Sequence, residues 1–243
     1  MFRHKGKGRT YSHNLKLASI LSGVAGTVNI TGVLSVGTLT TNVTGHFAFF
    51  SEELFFNKIE MALVSLLYIL FFLTGAFVSG LLIELVAKVR YYLTYILPIS
   101  IEIIILLVCG MSYLFFPVEV FNYPILLSCL LLFAMGLQNA LVTKVSQSVV
   151  RTTHLTGLFT DLGIEISQYI TLKSRTEQKR IRRSIQLKLI IILCFFLGGI
   201  IGGFLYIHFK LATLLFPVLL LLFALWYDKI LFRYYYLRRK YRR

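Results

Sequence analysis

The chain alternates long apolar runs with short polar or basic stretches. A bilayer core about 30 Å thick needs roughly 20 apolar residues in helix, because lipid cannot hydrogen-bond to the backbone. Six runs meet this length. The first is too long for the apolar core of a signal peptide and has no A-x-A cleavage site, so we count it as a span. The six predicted transmembrane helices cover residues 15–36, 61–86, 93–115, 124–142, 187–209 and 211–231.

Two shorter segments, residues 38–56 and 151–170, interrupt this pattern with polar residues. We predict that they are broken or re-entrant half-helices; an alternative with eight spans has them cross completely. Cytoplasmic loops are enriched in Lys and Arg. With six spans and both termini in the cytoplasm, only Lys58 and Lys210 of the 25 basic residues lie outside. The eight-span alternative places five basic residues outside, namely Lys88, Arg90, Lys144, Arg151 and Lys210, so charge favours six.

Composition excludes a water-soluble enzyme. Hydrophobic residues make up 57% of the chain and charged residues 14%, with a mean hydropathy of +0.79, whereas soluble domains carry about 25% charged residues. The basic residues that give the net charge of +15 lie beside apolar runs. This placement predicts contact with anionic lipid headgroups and no nucleic-acid partner. The three cysteines lie within apolar runs without metal-ligand spacing. No P-loop, G-x-S-x-G or H-E-x-x-H motif occurs, so we expect no enzyme activity and no cofactor or metal.

The chain also resembles itself. T-N-V-T-G-H-F at 41–47 matches T-H-L-T-G-L-F at 153–159, and F-L-T-G at 72–75 resembles F-L-G-G at 196–199. Further pairs follow in the same order: Gly26 and Asn29 with Gly136 and Asn139, and Pro98 with Pro217. We predict a basic N-terminus (1–16), a first repeat (17–116), a second repeat (117–231) and a basic cytoplasmic tail (232–243). Because each repeat has three spans, the second must be inverted relative to the first.

Three segments carry a resemblance to a known family: V-T-G-H-F at 43–47, F-A-M-G-L-Q-N-A at 133–140, and R-T-T-H-L-T-G-L-F-T-D-L-G at 151–163. The chain resembles the YoaK-like family of uncharacterised bacterial multipass membrane proteins from about residue 17 to residue 225. This resemblance implies a protein of the bacterial cytoplasmic (inner) membrane with about six spans. It brings no established substrate or activity.

Each T-x-x-T-G segment is typical of a helix start, where free backbone N–H groups and the helix dipole favour an anion. For either segment alone, an interfacial loop with a capped helix explains the pattern equally well. Because the segment is duplicated, we expect two half-helices to approach from opposite faces and meet near the bilayer midplane. The predicted substrate contacts are Asn29, Asn42, Thr44, Gly45, His46, Gln138, Asn139, His154, Thr156 and Gly157.

Two carboxylates are candidates for proton coupling. Glu102 is flanked by Ile on both sides inside the third span, where an ionisable residue is costly and therefore marks a functional hypothesis. Asp161 follows the second T-G pair and is placed to complement the helix start. The simpler alternatives are a neutral Glu hydrogen-bonded to a neighbouring helix and a helix-start carboxylate.

These observations predict a secondary transporter or permease for a small solute, with an anion favoured, that works by alternating access. The alternative is a scaffold or assembly factor that binds another membrane protein through small-residue faces. Such faces occur at Ala76 and Gly80 and at Gly198, Gly199, Gly202 and Gly203. We expect these faces to serve internal helix packing between the repeats, with a homo-oligomer seam as the other option.

Overall fold

The protein is helical throughout the part that the computed structural model describes, residues 11–89, 94–115, 123–146, 150–172 and 174–240. This confirms the all-α prediction, and these residues contain no β-strand. The predicted N-terminal segment, the boundary between the repeats and the end of the basic tail lie wholly or partly outside them. The helices are α1 (Tyr11–Val36), α2 (Val43–Phe55), α3 (Ile59–Val89), α4 (Ile96–Phe115), α5 (Tyr123–Ser146), α6 (Leu155–Thr171), α7 (Arg175–Phe209), a 3-10 helix (Lys210–Leu214) and α8 (Leu215–Lys240).

Four helical segments of the described chain are long and apolar enough to cross a membrane: Asn14–Val36, Ile59–Ala87, Tyr123–Ser146 and Arg175–Tyr227. The last contains α7, the 3-10 helix and the start of α8. The chain turns out of α7 at Lys210, whose φ is 50°. Ile96–Ser112 is a shorter apolar helix. Large apolar side chains such as Leu73 and Phe196 stay about 60% exposed on α3 and α7, as lipid-facing surfaces require. By length and composition, the described helices are therefore consistent with a helical membrane protein.

Glycines allow close backbone contacts in two helix pairs, α1 with α7 and α3 with α5. A Cβ atom at Gly26 would lie 2.0 Å from the Phe195 carbonyl oxygen, and one at Gly136 would lie 2.1 Å from the Phe72 carbonyl oxygen. Gly198 and Gly75 make the reciprocal approaches. Their Cβ atoms would lie 2.2 Å from the Gly23 oxygen and 2.1 Å from the Phe133 oxygen, respectively. Side chains at these positions would force the helices apart, so the predicted internal packing role is confirmed for Gly198. By these contacts Gly75 of the first half corresponds to Gly198 of the second half. The sequence match had instead aligned Gly75 with Gly199, one residue away.

The directions of the central helices follow from these contacts. α1 and α7 run parallel, because Gly23 lies against Gly198 and Ile30 against Gly202. α3 and α5 run parallel as well, since the contact at Phe72 and Gly136 is followed by the Glu84–Lys144 ion pair.

By contrast, α1 and α5 run antiparallel. Gln138 Nε2 donates to the Leu21 carbonyl at 2.7 Å, while Thr38 Oγ1 and Ser128 Oγ lie 2.7 Å apart near the other end of the contact. The space between these helices is filled by side chains that are 0% exposed, among them Leu21, Val24, Val28, Leu131 and Met135.

Candidate functional site

After α1 the chain folds back on itself in a segment that we call the first turn-back (residues 37–42). Gly37 has φ +69°, a conformation that glycine adopts without strain, and the Thr38 N–H donates to the Gly32 carbonyl at 3.2 Å. The Thr41 N–H and Oγ1 then donate to Asn29 Oδ1 at 3.3 and 3.0 Å. Asn29 lies seven residues before the end of α1, so the chain returns by roughly 10 Å before α2 begins.

The second turn-back (residues 150–154, with Asn139) has the same design at the end of α5. Thr153 Oγ1 donates to Asn139 Oδ1 at 2.7 Å, and Asn139 again lies seven residues before the helix ends. The Val150 N–H donates to Ser146 Oγ at 3.0 Å. Each half of the chain therefore contains a half-buried Asn that holds the threonine of a returning segment.

The two turn-backs do not meet. The hydrogen bond from Gln138 to Leu21 puts Asn139 level with Leu21, roughly 12 Å along α1 from Asn29 at 1.5 Å per residue. Fully buried residues of α1, including Val24 and Val28, occupy the interval. α2 packs against α3, and α6 packs against α7. Within the described residues the predicted contacts thus form two separate groups and not the single central cavity that we expected.

Several predicted contacts face outward. Asn42, Thr44, His154 and Thr156 are exposed, and Asn42 Oδ1 accepts the N–H of Gly45 at 3.1 Å. The Asn42 side chain therefore already accepts from a backbone N–H group that we had expected to bind an anion.

The start of α6 is also covered by a side chain. His154 makes no capping hydrogen bond. Its ring lies so close to Gly157 that a Cβ atom there would be 2.3 Å from His154 Cδ2. An imidazole therefore lies where an anion would have to approach this helix start.

The remaining candidates differ in burial. Glu102 is 0% exposed in α4, and both of its carboxyl oxygens lack a hydrogen-bond partner among the described residues. Gln138 is also 0% exposed, and in that same part of the chain its Oε1 has no partner. Asp161 is exposed on α6. Glu102 thus remains the better placed of the two coupling candidates.

Sequence reasoning missed the most closely matched buried pair, Thr40 and Thr152. Both are 0% exposed, and neither hydroxyl has a partner within the described ranges. Extending the repeated motif by one residue reveals them, because T-T-N-V-T-G at 40–45 aligns with T-T-H-L-T-G at 152–157. A buried hydroxyl without a partner costs free energy, and here the cost recurs at matched positions.

A pocket of about 260 Å³ lies between the end of α1, α2 and α3. His46 is 3% exposed there, and its Nε2 lies 2.8 Å from the Leu39 carbonyl. Since a carbonyl only accepts, Nε2 carries the hydrogen, and Nδ1 of the neutral ring is an acceptor. Ser65 Oγ donates to Glu53 Oε2 at 2.7 Å, and the rings of His46 and Tyr68 are 5.4 Å apart. The other lining residues are Val36, Gly37, Thr38, Phe49, Met61 and Val64.

A comparison with known families now adds a finding. A sequence model of one family, described as Protein of unknown function (DUF1275), matches residues 17–227. The chain belongs to the DUF1275 family. The family supports the predicted resemblance at the level of an uncharacterised domain family, and the narrower YoaK-like assignment stays a prediction. Comparisons with curated proteins and with solved structures found no match. Among the described residues of this DUF1275 protein, no group of His, Cys, Asp and Glu is arranged to hold a metal ion.

Proposed function

We propose that this DUF1275 protein is a secondary transporter built from two inverted three-span repeats, with α2 and α6 as re-entrant helices. The matched turn-backs carry this proposal. Asn29 of α1 accepts a hydrogen bond from Thr41, and Asn139 of α5 accepts one from Thr153. The helices α1 and α5 run antiparallel. One turn-back therefore enters the bilayer from each face, as in transporter folds with inverted repeats. This arrangement corresponds to six crossings, with both termini in the cytoplasm of a bacterial cell and the chain in its inner membrane.

We further propose which parts move. Each glycine contact joins a helix of one half to a helix of the other, α1 with α7 and α3 with α5. These contacts bring backbone against backbone, so each pair moves as one body. Alternating access then consists of one pair rocking against the other, which opens the buried interval between the turn-backs first to one side of the membrane and then to the other.

The solute contacts proposed here are polar groups at the turn-backs, chiefly Thr40 and Thr152 with Asn29 and Asn139. The two threonine hydroxyls are buried and lack partners among the described residues, so a polar solute would satisfy them. Support for an anion is weaker than the sequence predicted, because Asn42 caps the start of α2. We therefore propose a small polar solute, with Glu102 as the residue that couples its movement to protons.

The scaffold alternative requires small-residue faces that a partner can reach. Gly198 and Gly202 lie against α1, and Gly75 lies against α5. Because these glycines pack against helices of the same molecule, they support the transporter proposal over the scaffold alternative. Gly80, with open space around its Cβ position, is a small residue of these faces that a partner could contact.

Transport can be tested in proteoliposomes with radiolabelled phosphate, lactate, methylammonium and glycerol. We expect uptake of at least one solute to exceed uptake into empty liposomes. Thr40→Val and Thr152→Val should each lower this uptake at least tenfold. The unfolding free energy should stay unchanged or rise by up to about 1 kcal/mol, because valine removes an unsatisfied hydroxyl and keeps the shape. Thr160→Val, on the exposed face of α6, is the matched control. No uptake of any of the four solutes, or full uptake by both buried variants, contradicts the proposal.

A further inference from the structure

Two hairpins, α2–α3 and α6–α7, each direct a glutamate toward the helix that follows. In the second hairpin Glu165 Oε1 accepts from Lys188 Nζ at 2.6 Å and from Ser184 Oγ at 2.7 Å. In the first, Glu53 accepts from Ser65, and no described cation lies within ion-pair distance of it.

The two glutamates occupy corresponding positions. Both lie twelve residues after the threonine that binds the turn-back Asn. Ser65 and Lys188 also correspond, because each lies seven residues before the phenylalanine whose carbonyl contacts the opposing glycine. Where the second half supplies its own cation, the first half therefore has a small hydroxyl.

The neighbouring positions differ in the same sense. In the second hairpin two of these positions hold buried apolar side chains, Leu158 and Ile191, which are 5% and 0% exposed. The corresponding residues of the first hairpin are His46 and Tyr68, which line the pocket of about 260 Å³. One hairpin is closed by apolar side chains and a lysine, whereas the other is open and lined by acceptors and aromatic rings.

We propose that this pocket binds a small organic cation whose ammonium group takes the place that Lys188 occupies in the other half. The ammonium would donate to the Glu53 carboxylate and to His46 Nδ1, and the rings of Tyr68 and Phe49 favour a cation near their faces. The pocket is smaller than the roughly 300–1,000 Å³ of sites for drug-sized molecules, so a short alkyl or aryl amine fits. An anion is disfavoured beside Glu53. This inference concerns binding alone and does not depend on transport.

The test is equilibrium binding of radiolabelled phenethylamine to the delipidated full-length chain in detergent. We expect saturable binding by the natural sequence and at least tenfold weaker binding by Glu53→Gln, which keeps the shape and the bond with Ser65. Ser65→Lys should abolish binding, because the new lysine would supply the cation as Lys188 does. Glu165→Gln, the matched change in the closed hairpin, should bind like the natural chain.

The inference is overturned if the natural chain shows no saturable binding. It is also overturned if Glu53→Gln binds as tightly as the natural chain, or if Glu165→Gln weakens binding equally. Size-exclusion profiles verify folding. Should Ser65→Lys not fold, the isosteric Glu53→Gln still decides the matter.

The ammonium could come from a free amine or from a phosphatidylethanolamine headgroup, and nanodiscs distinguish these sources. Glu53-dependent binding of phenethylamine that is weaker in phosphatidylethanolamine discs than in phosphatidylglycerol discs assigns the lipid headgroup. Equal binding in both assigns a free amine. Both results retain the ammonium site, and loss of the dependence on Glu53 in both discs overturns it.

Discussion

The α2–α3 and α6–α7 hairpins share a backbone design but give their glutamates different partners. Glu165 is bound by Lys188 in a pair whose side chains are only 19% and 13% exposed. Glu53, at the corresponding place, has Ser65 and an open pocket. The residues that set the backbone path are alike in both halves, namely the contact glycines and the Asn–Thr bonds. The residues that fill the hairpins differ, so the two halves share a backbone path and differ in the side chains along it.

The largest effect is expected where the two halves agree. Gly26→Ala or Gly136→Ala should lower the unfolding free energy by at least about 2 kcal/mol, since each new methyl group meets a backbone carbonyl near 2 Å. Gly163→Ala is the control, because nothing lies within 4 Å of its Cβ position and alanine favours a helix. Reversible denaturation in mixed detergent micelles measures all three. Equal stability of the four chains would mean that the glycine contacts do not hold the helix pairs together.

A smaller effect should separate the halves. Lys188→Met leaves Glu165 partly buried without its cation and should cost about 1–2 kcal/mol, between the values typical of exposed and buried pairs. Glu53→Gln has no ion pair to break and should change stability by less than about 0.5 kcal/mol. Adding Glu165→Gln to Lys188→Met should recover part of the loss. The same denaturation assay applies, and equal costs in both hairpins would remove the contrast between them.

A stability change as small as that of Glu53→Gln is expected at Glu102, which lies in α4 outside the two hairpins. Glu102→Gln keeps the shape of a buried side chain whose oxygens have no partner among the described residues, so the unfolding free energy should shift by less than about 0.5 kcal/mol. Uptake driven by a pH gradient should nevertheless be lost, while exchange without a gradient persists. Proteoliposome flux measured with and without the gradient provides the readout. Gradient-driven uptake at the natural rate would remove Glu102 from the coupling step.

Hydrophobic run length predicted the helices because burial in lipid leaves few alternatives for an apolar segment of 20 residues. The repeated motif also indicated where the chain breaks. Whether the two breaks meet could not be predicted from the sequence, because it depends on how far each segment returns along its helix. That distance is set by Gly37 and by the Asn29–Thr41 and Asn139–Thr153 bonds.

The pocket escaped prediction for a related reason. Glu53 and Ser65 come together only when two helices fold into a hairpin. In the sequence, the glutamate looks like one of several charges at a membrane boundary. Comparing Glu53 with Glu165 across the repeat, and Ser65 with Lys188, was the signal that could have drawn attention to it.

The sidedness of the two hairpin tips tests the inverted arrangement most directly. Lys58→Cys and Ser174→Cys place single reactive thiols at the exposed tips of α2–α3 and α6–α7. The natural chain is the control, because Cys109 and Cys129 are buried and Cys194 is half-buried. A membrane-impermeant maleimide should label residue 58 only in intact spheroplasts and residue 174 only in inside-out vesicles. Labelling of both from the same side would mean that α2 and α6 cross the bilayer, and it would contradict the inverted repeat.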